Sequence, residues 1–304
     1  MDIPPVVLGC GNFGGIGSAP AFFGKGETKE QAFELLDAAW AMELDWFDTA
    51  DAYGGGRSEA WIGEWIAATG NRPRITTKTF NPMDEGLDSG LAPERVRRQL
   101  ESSLERLGME RVDLYLAHEP DPGVPIVETL GMFEELASAG KVAAYGVSNF
   151  GAAELRQALD AGSPALVQNS FSLLFREDEG GVIPLCAAEG VAYQCFGPLA
   201  GGWLTGKYRR NAALPEGSRM TMRPEPYSHL DSEHVYSALD ALAEAAAGRG
   251  VSTAALALAW LLAHPGVTSI VVGPRTPAHL EPVREALGLE LTLAEHEEVG
   301  SLFT

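Results

Sequence analysis

Cysteine is scarce, with three residues (Cys10, Cys186 and Cys195) in a chain of 304. An odd, widely spaced trio cannot build the multi-bridge framework of a small secreted domain. Positive charge is scarce as well: 22 Lys+Arg stand against 42 Asp+Glu, a formal charge of −20. A surface of that sign repels nucleic acid and anionic membrane, so neither is expected as a partner. No segment reaches the roughly 18 apolar residues of a membrane helix. The opening MDIPPVVLG lacks the basic region and long apolar run of a secretory signal, so a cytoplasmic protein is expected. With 45% hydrophobic residues, the chain can still bury a large core.

Glycine, by contrast, is plentiful, and its first cluster suggests a ligand. VVLGCGNFGG (6–15) places Gly9, Gly11 and Gly14 in G-x-G-x-x-G spacing behind an apolar run. A Rossmann fingerprint requires a helix directly after those glycines, because the helix N-terminus holds the pyrophosphate. Here GIGSAPAFFGKGE follows, and Gly and Pro at that density break helices. The first helix signal is the capping box Thr28 to Gln31, followed by Ala32, Leu35, Leu36 and Ala39. These glycines therefore mark a close backbone approach rather than a Rossmann turn.

Short β-type runs then alternate with helical patterns to the end of the chain. The runs lie at 6–9, 44–48, 74–78, 112–118, 143–149, 165–169, 191–196 and 268–273. Helical patterns lie at 29–42, 58–67, 93–106, 126–138, 151–160, 180–188, 233–247 with 252–263, and 276–286. A second capping box, Thr292 to Glu295, opens a further C-terminal helix. Eight such units predict a parallel α/β fold, and at this length a closed (β/α)8 TIM barrel. No linker divides the chain, so one domain over 1–304 is expected. Residues 207–230 break the rhythm as a long loop, basic in its first part through Lys207, Arg209, Arg210, Arg219 and Arg223. A loop of that length is functional or disordered, and this one reads equally as a flap closing on a phosphate-bearing ligand or as a solvated loop with incidental arginines.

In such barrels the chemistry sits at the carboxyl ends of the strands. Read in order, those ends carry Asp48 (with Tyr53 five residues on), Lys78, His118, Ser148-Asn149, Gln168-Asn169, Phe196-Gly197 and Gly273 with Arg275 beyond. Taken singly, each has an ordinary structural explanation as a cap, a snorkelling lysine or a core histidine. Together, at successive strand ends, they do not. Neighbouring strands lie about 4.8 Å apart, which brings Asp48, Lys78 and His118 within mutual reach. Asp48 supplies the counter-charge a desolvated lysine needs. The ammonium in turn is expected to lower the pKa of Tyr53 and so make it a general acid. This set protonates an oxygen but holds no reducing power, so a cofactor must bring the hydride.

FDTADAYGGGRSE, ITTKT, DLYLAH, YGVSNF, LVQNSFSLL, FGPLAGGWLTGKY and IVVGPRT resemble, in order and over nearly the whole chain, the aldo-keto reductase family. The resemblance implies an NAD(P)H-dependent oxidoreductase that interconverts carbonyls and alcohols, with NADPH the usual cofactor and NADH the alternative. It implies Tyr53 as proton donor, Lys78 and Asp48 as its tuning pair, and His118 as the residue that positions the carbonyl. It places the nicotinamide carboxamide at Ser148, Asn149 and Gln168, and the nicotinamide ring on Phe196. The segment from Gly197 through Leu199 and Gly201 to Lys207 would follow the pyrophosphate. Gly273, Arg275 and His279 would lie on the adenosine side, with Arg275 near the 2′-phosphate. Gly11 and Asn12 would approach the cofactor, while Phe13 and Phe80 would line the substrate mouth. Phe196 stands where tyrosine is common in the family, Gly197 where serine is, and the usual carboxylate–amide pair for adenine is absent.

Two other readings compete. Potassium-channel β subunits of the same family keep these residues, so a regulatory nicotinamide-binding subunit is the alternative. A metal-dependent hydrolase would need His118, Glu119, Asp48 and Asp51 as ligands, although no metal is expected because the other five histidines lie elsewhere. Phe22, Phe23 and Trp203 are further candidates for an apolar mouth. Glu119 beside His118 suggests a more polar one. The expected partner is a small-molecule carbonyl or alcohol, handled by a monomer or small homo-oligomer.

Overall fold

Each apolar run becomes a strand of one closed parallel barrel, in the order β1-β2-β3-β4-β5-β6-β7-β8. The computed structural model describes residues 2–303. The strands are β1 Val6–Gly9, β2 Trp46–Asp48, β3 Arg74–Thr79, β4 Val112–Ala117, β5 Val142–Ser148, β6 Leu166–Ser170, β7 Ala192–Phe196 and β8 Ser269–Val272. Both faces of these strands are covered, which is why they read as continuous apolar runs rather than alternating ones. Alternate residues point into the barrel or out to the helices. Val7, Trp46, Leu114, Leu116, Leu166 and Val271 form an inner cluster, while Val6, Leu8, Val112 and Tyr115 join the larger outer one.

The helices are α1 Lys29–Ala41, α2 Arg57–Thr69, α3 Pro93–Leu107, α4 Ile126–Ser138, α5 Ala152–Ala161, α6 Val182–Glu189, α7 Arg219–Met222, α8 Glu233–Gly248, α9 Thr253–Ala263, α10 Glu281–Leu287 and α11 Leu293–Ser301. Both expected capping boxes form, Thr28 with Gln31 and Thr292 with Glu295. In α3, Val96, Leu100, Leu104 and Leu107 recur at helical spacing and are buried, and of the helix's charged residues Arg95 is buried with them. No single helix among the described residues is long and apolar enough to cross a membrane.

Three local differences from expectation have physical causes. β2 starts two residues late, because Leu44 and Asp45 close the turn out of α1 through hydrogen bonds to Ala39 and Glu43. The pattern at 276–286 splits into a turn at Pro277–Leu280 and α10, with a proline in the first turn of each. The long loop at 207–230 carries one helical turn, α7. No helix follows β1 directly: residues 10–28 run as turns, as the density of glycine and proline requires.

Candidate active site

Four side chains meet at the carboxyl end of the barrel. Asp48 ends β2, Lys78 lies in β3, His118 directly follows β4, and Tyr53 heads the turn that leads into α2. Lys78 is fully buried and ion-paired with Asp48. Its ammonium also donates to the Thr49 carbonyl at 3.0 Å and reaches the Tyr53 hydroxyl at 3.5 Å. The same hydroxyl stands 3.5 Å from His118 Nε2. The phenol therefore lies between a fixed cation and an imidazole. Lysine has three protons to give, and here each has an acceptor.

Burial settles the electrostatics, and it overturns one expectation. Tyr53 titrates above the ordinary phenol value: removal of its hydroxyl from water raises the pKa, as do Asp48 and Glu119, and Lys78 only partly offsets this. The ammonium was expected to win. It loses because the phenolate it favours must form where solvent is excluded. For Lys78 the balance runs the other way: burial pulls it down, but Asp48 and Tyr53 outweigh that and keep it charged. His118 is held well below the usual imidazole range by burial and by Lys78, so it is neutral at physiological pH. Asn81 Nδ2 lies 3.4 Å from His118 Nδ1, so one ring nitrogen is engaged while the other faces Tyr53.

Gln168, expected at the nicotinamide carboxamide, donates through its amide nitrogen to the second oxygen of Asp48 at 2.6 Å and to Gln194 at 2.8 Å. Gln194 donates onward to Ser269 at 3.1 Å, so an amide chain crosses the barrel beneath the lysine. Asn149 adopts the left-handed conformation, with φ of 61°. Its amide donates to the His118 carbonyl at 2.9 Å, to Glu119 at 3.2 Å and to the buried Ser148 at 3.3 Å. Phe196 is half-buried and caps the inner barrel cluster. Phe80 is half-buried beyond the end of β3. Phe13 is 1% exposed and belongs to the outer cluster, so it packs as core rather than as an open wall. Trp203 is buried in the same way.

A second group of residues builds a cationic rim beside this floor. After β7 the backbone passes through Gly197, Gly201 and Gly202 with φ of 66°, 63° and 94°. At Gly201 a β-carbon would stand 2.7 Å from the Tyr227 ring, so only glycine fits there. Leu199 is half-buried in this segment, and Lys207 follows it with its ammonium lying across Gly202. Arg219 donates to the Asn12 side chain at 3.0 Å, and Arg223 donates to the Ile16 carbonyl at 3.4 Å. Arg275 donates to Glu27 and to the Gly217 carbonyl, both at 2.5 Å, and its backbone N–H donates to His279 at 3.2 Å. Lys207, Arg219 and His279 are each pushed down by burial, and also by neighbouring cations, Arg275 among them. Gly273 lies exposed at the edge, and Gly11 lies against the Tyr53 ring. The expected basic flap is thus only half realised. Arg210 turns away to pair with Glu233 and Asp240.

The profile of the Aldo/keto reductase family matches residues 5–303. The chain belongs to that family. Aldo-keto reductase YhdN of Bacillus subtilis is 31% identical over 91% of this chain and 85% of its own length. An NADH-specific methylglyoxal reductase of Escherichia coli is 29% identical over 97% of this chain and 93% of its own length. Among solved structures, a glycerol dehydrogenase from Gluconobacter oxydans superposes with a TM-score of 0.85 at 28% identity, covering 99% of this chain and 92% of that one. This aldo-keto reductase is accordingly a nicotinamide-dependent oxidoreductase on the barrel that the strand pattern predicts.

The cationic rim fits such a cofactor. Lys207, Arg219 and Arg275 repel one another beside glycine-built backbone, a surrounding that suits phosphate. The geometry does not favour the hydrolase reading: Lys78 holds Asp48, buried Asp51 accepts from Thr79 at 2.7 Å, and no three of the described His, Cys, Asp and Glu residues are grouped to hold a metal ion. Sequence reasoning missed Glu27, Asn81 and Gln194. Asn81 shares the segment beyond β3 with Phe80 and could have been considered on that ground. Nothing in the sequence around Glu27 shows that it meets Arg275.

Proposed function

We propose that Tyr53 is the proton donor and that it works as a neutral phenol. A carbonyl oxygen seated between Tyr53 and His118 would meet two donors, the phenol O–H and an imidazole N–H. Tyr53 gives up its proton as negative charge develops on that oxygen, and the Lys78 ammonium stabilises the phenolate left behind. Asp48 and Gln168 keep the lysine charged and in place. Ser148 and Asn149 would present the nicotinamide edge and Phe196 its ring platform. Gly11, Asn12, the Gly197–Lys207 segment, Gly273, Arg275 and His279 would follow the rest of the dinucleotide. Bound there, NADPH supplies the hydride. Arg275 with Lys207 and Arg219 supports the phosphorylated form.

The single observation that carries this reading is the placement of one hydroxyl 3.5 Å from both a buried ammonium and a neutral imidazole. Glu119, half-buried at the mouth and pushed up to about 7 by burial, makes that mouth polar. Small polar aldehydes and hydroxyketones are therefore the proposed substrates, handled in the cytoplasm by a monomer or small homo-oligomer. A panel of charged, hydroxylated and apolar aldehydes, assayed with NADPH and with NADH, tests the assignment. Turnover that favours hydroxylated members supports it. A chain that binds nucleotide and turns over none of them would favour the regulatory-subunit reading.

A further inference from the structure

Glu27 is an anion inside a site otherwise built for anions. It sits in the loop between β1 and α1, fixed by its backbone: its N–H donates to the Asn12 carbonyl at 2.9 Å, and its carbonyl accepts from Gly14 at 3.0 Å. Its side chain is 2% exposed. One carboxylate oxygen accepts from Arg275 Nε at 2.5 Å, while the other is buried without a partner. A buried, unsatisfied acceptor is costly, and it is relieved by any donor brought to it. Arg275 also spends an N–H on the Gly217 carbonyl. The guanidinium proposed to hold the 2′-phosphate is therefore already neutralised by a neighbour that repels phosphate.

A ribose hydroxyl and a phosphate make opposite demands on such a pair. The hydroxyl donates, so it suits a carboxylate; the phosphate only accepts at neutral pH and suits the arginine. We propose that Glu27 sets the balance between the two nicotinamide dinucleotides. Its charge offsets Arg275 against the 2′-phosphate, and its free oxygen accepts from an unphosphorylated ribose, so the chain uses NADH alongside NADPH. This rests on the cofactor reading above, and it concerns only the margin between the two forms.

The test is direct binding of NADPH and NADH to wild type and Glu27→Gln, followed by quenching of tryptophan fluorescence. Glutamine keeps the shape and can still accept from Arg275, so the loop should hold, which a melting curve checks. The expected result is a shift of the dissociation-constant ratio toward NADPH by about tenfold, with NADPH tighter and NADH weaker. Should Glu27→Gln fail to fold, Glu27→Asp, whose shorter arm cannot reach Arg275, should move the ratio in the same direction by less. An unchanged ratio, or a shift toward NADH, overturns the inference and makes Glu27 a brace for Arg275. Wild type that binds neither nucleotide would bring down the cofactor reading as well, a result distinct from either of these.

Discussion

The floor of the site and its rim are built differently. On the floor, Asp48, Lys78 and His118 are set by three adjacent strand ends, and all three are nearly or fully buried. On the rim, Asn12, Glu27, Arg219 and Arg275 come from three separate loops and meet through side-chain contacts between them, while Lys207 lies across Gly202 of its own loop. Strands fix a geometry whether or not a ligand is present. Loop arginines hold one that a phosphate can rearrange. On the proposed reading, chemistry rests on the first and affinity on the second: a strand-set frame of Asp48, Lys78 and His118 around Tyr53, which itself stands on the turn after β2, beside an adjustable grip.

The largest expected effect lies on the floor. Lys78→Met leaves Asp48 buried without its counter-charge, which should cost about 3–5 kcal/mol of stability in a denaturant melt. It should also reduce turnover by roughly 10²–10⁴-fold, because the phenolate loses its stabiliser. On the rim, Arg275→Met should weaken NADPH by about tenfold or more and NADH by less, as titration would show, since a hydrogen bond to a charged group contributes about 1.5–3 kcal/mol. A melt no less stable than wild type, or equal losses for the two nucleotides, would erase the contrast between floor and rim.

Smaller effects concern pH. Asp51 is pushed up by burial from 3.8 to about 7. The folded chain then holds a proton that the unfolded chain has released, so stability is greatest below 3.8 for this group and falls as pH rises toward about 7. Asp51→Asn should flatten that fall, as melting temperatures at pH 5 and pH 7.5 would reveal. His118 sits well below its usual range. Turnover should accordingly show no inflection near pH 6.5 from this group, and one that vanished in His118→Gln would contradict its neutrality.

The same division explains what could be read from the sequence. Strand runs, their order and the residues closing them were readable because a parallel barrel turns chain order into spatial order. Asp48, Lys78 and His118 inherit their proximity from that rule, and Tyr53 follows from the short turn after β2. Loop residues obey no such period. Arg275 could be anticipated through family resemblance, but its union with Glu27 joins residues 248 positions apart, and only the folded chain shows it. The acidity of Tyr53 is hidden from the sequence for a related reason: the sequence shows which charges are neighbours but not how little water surrounds them.

Tyr53→Phe is the most direct test of the central claim. It removes the hydroxyl and leaves the ring, the Lys78–Asp48 pair and the nucleotide grip in place. With NADPH prebound, a single turnover of a small aldehyde should slow by about 10²–10⁴-fold while the NADPH dissociation constant stays within about twofold. A variant that oxidises bound NADPH at the wild-type rate would show that the proton comes from elsewhere.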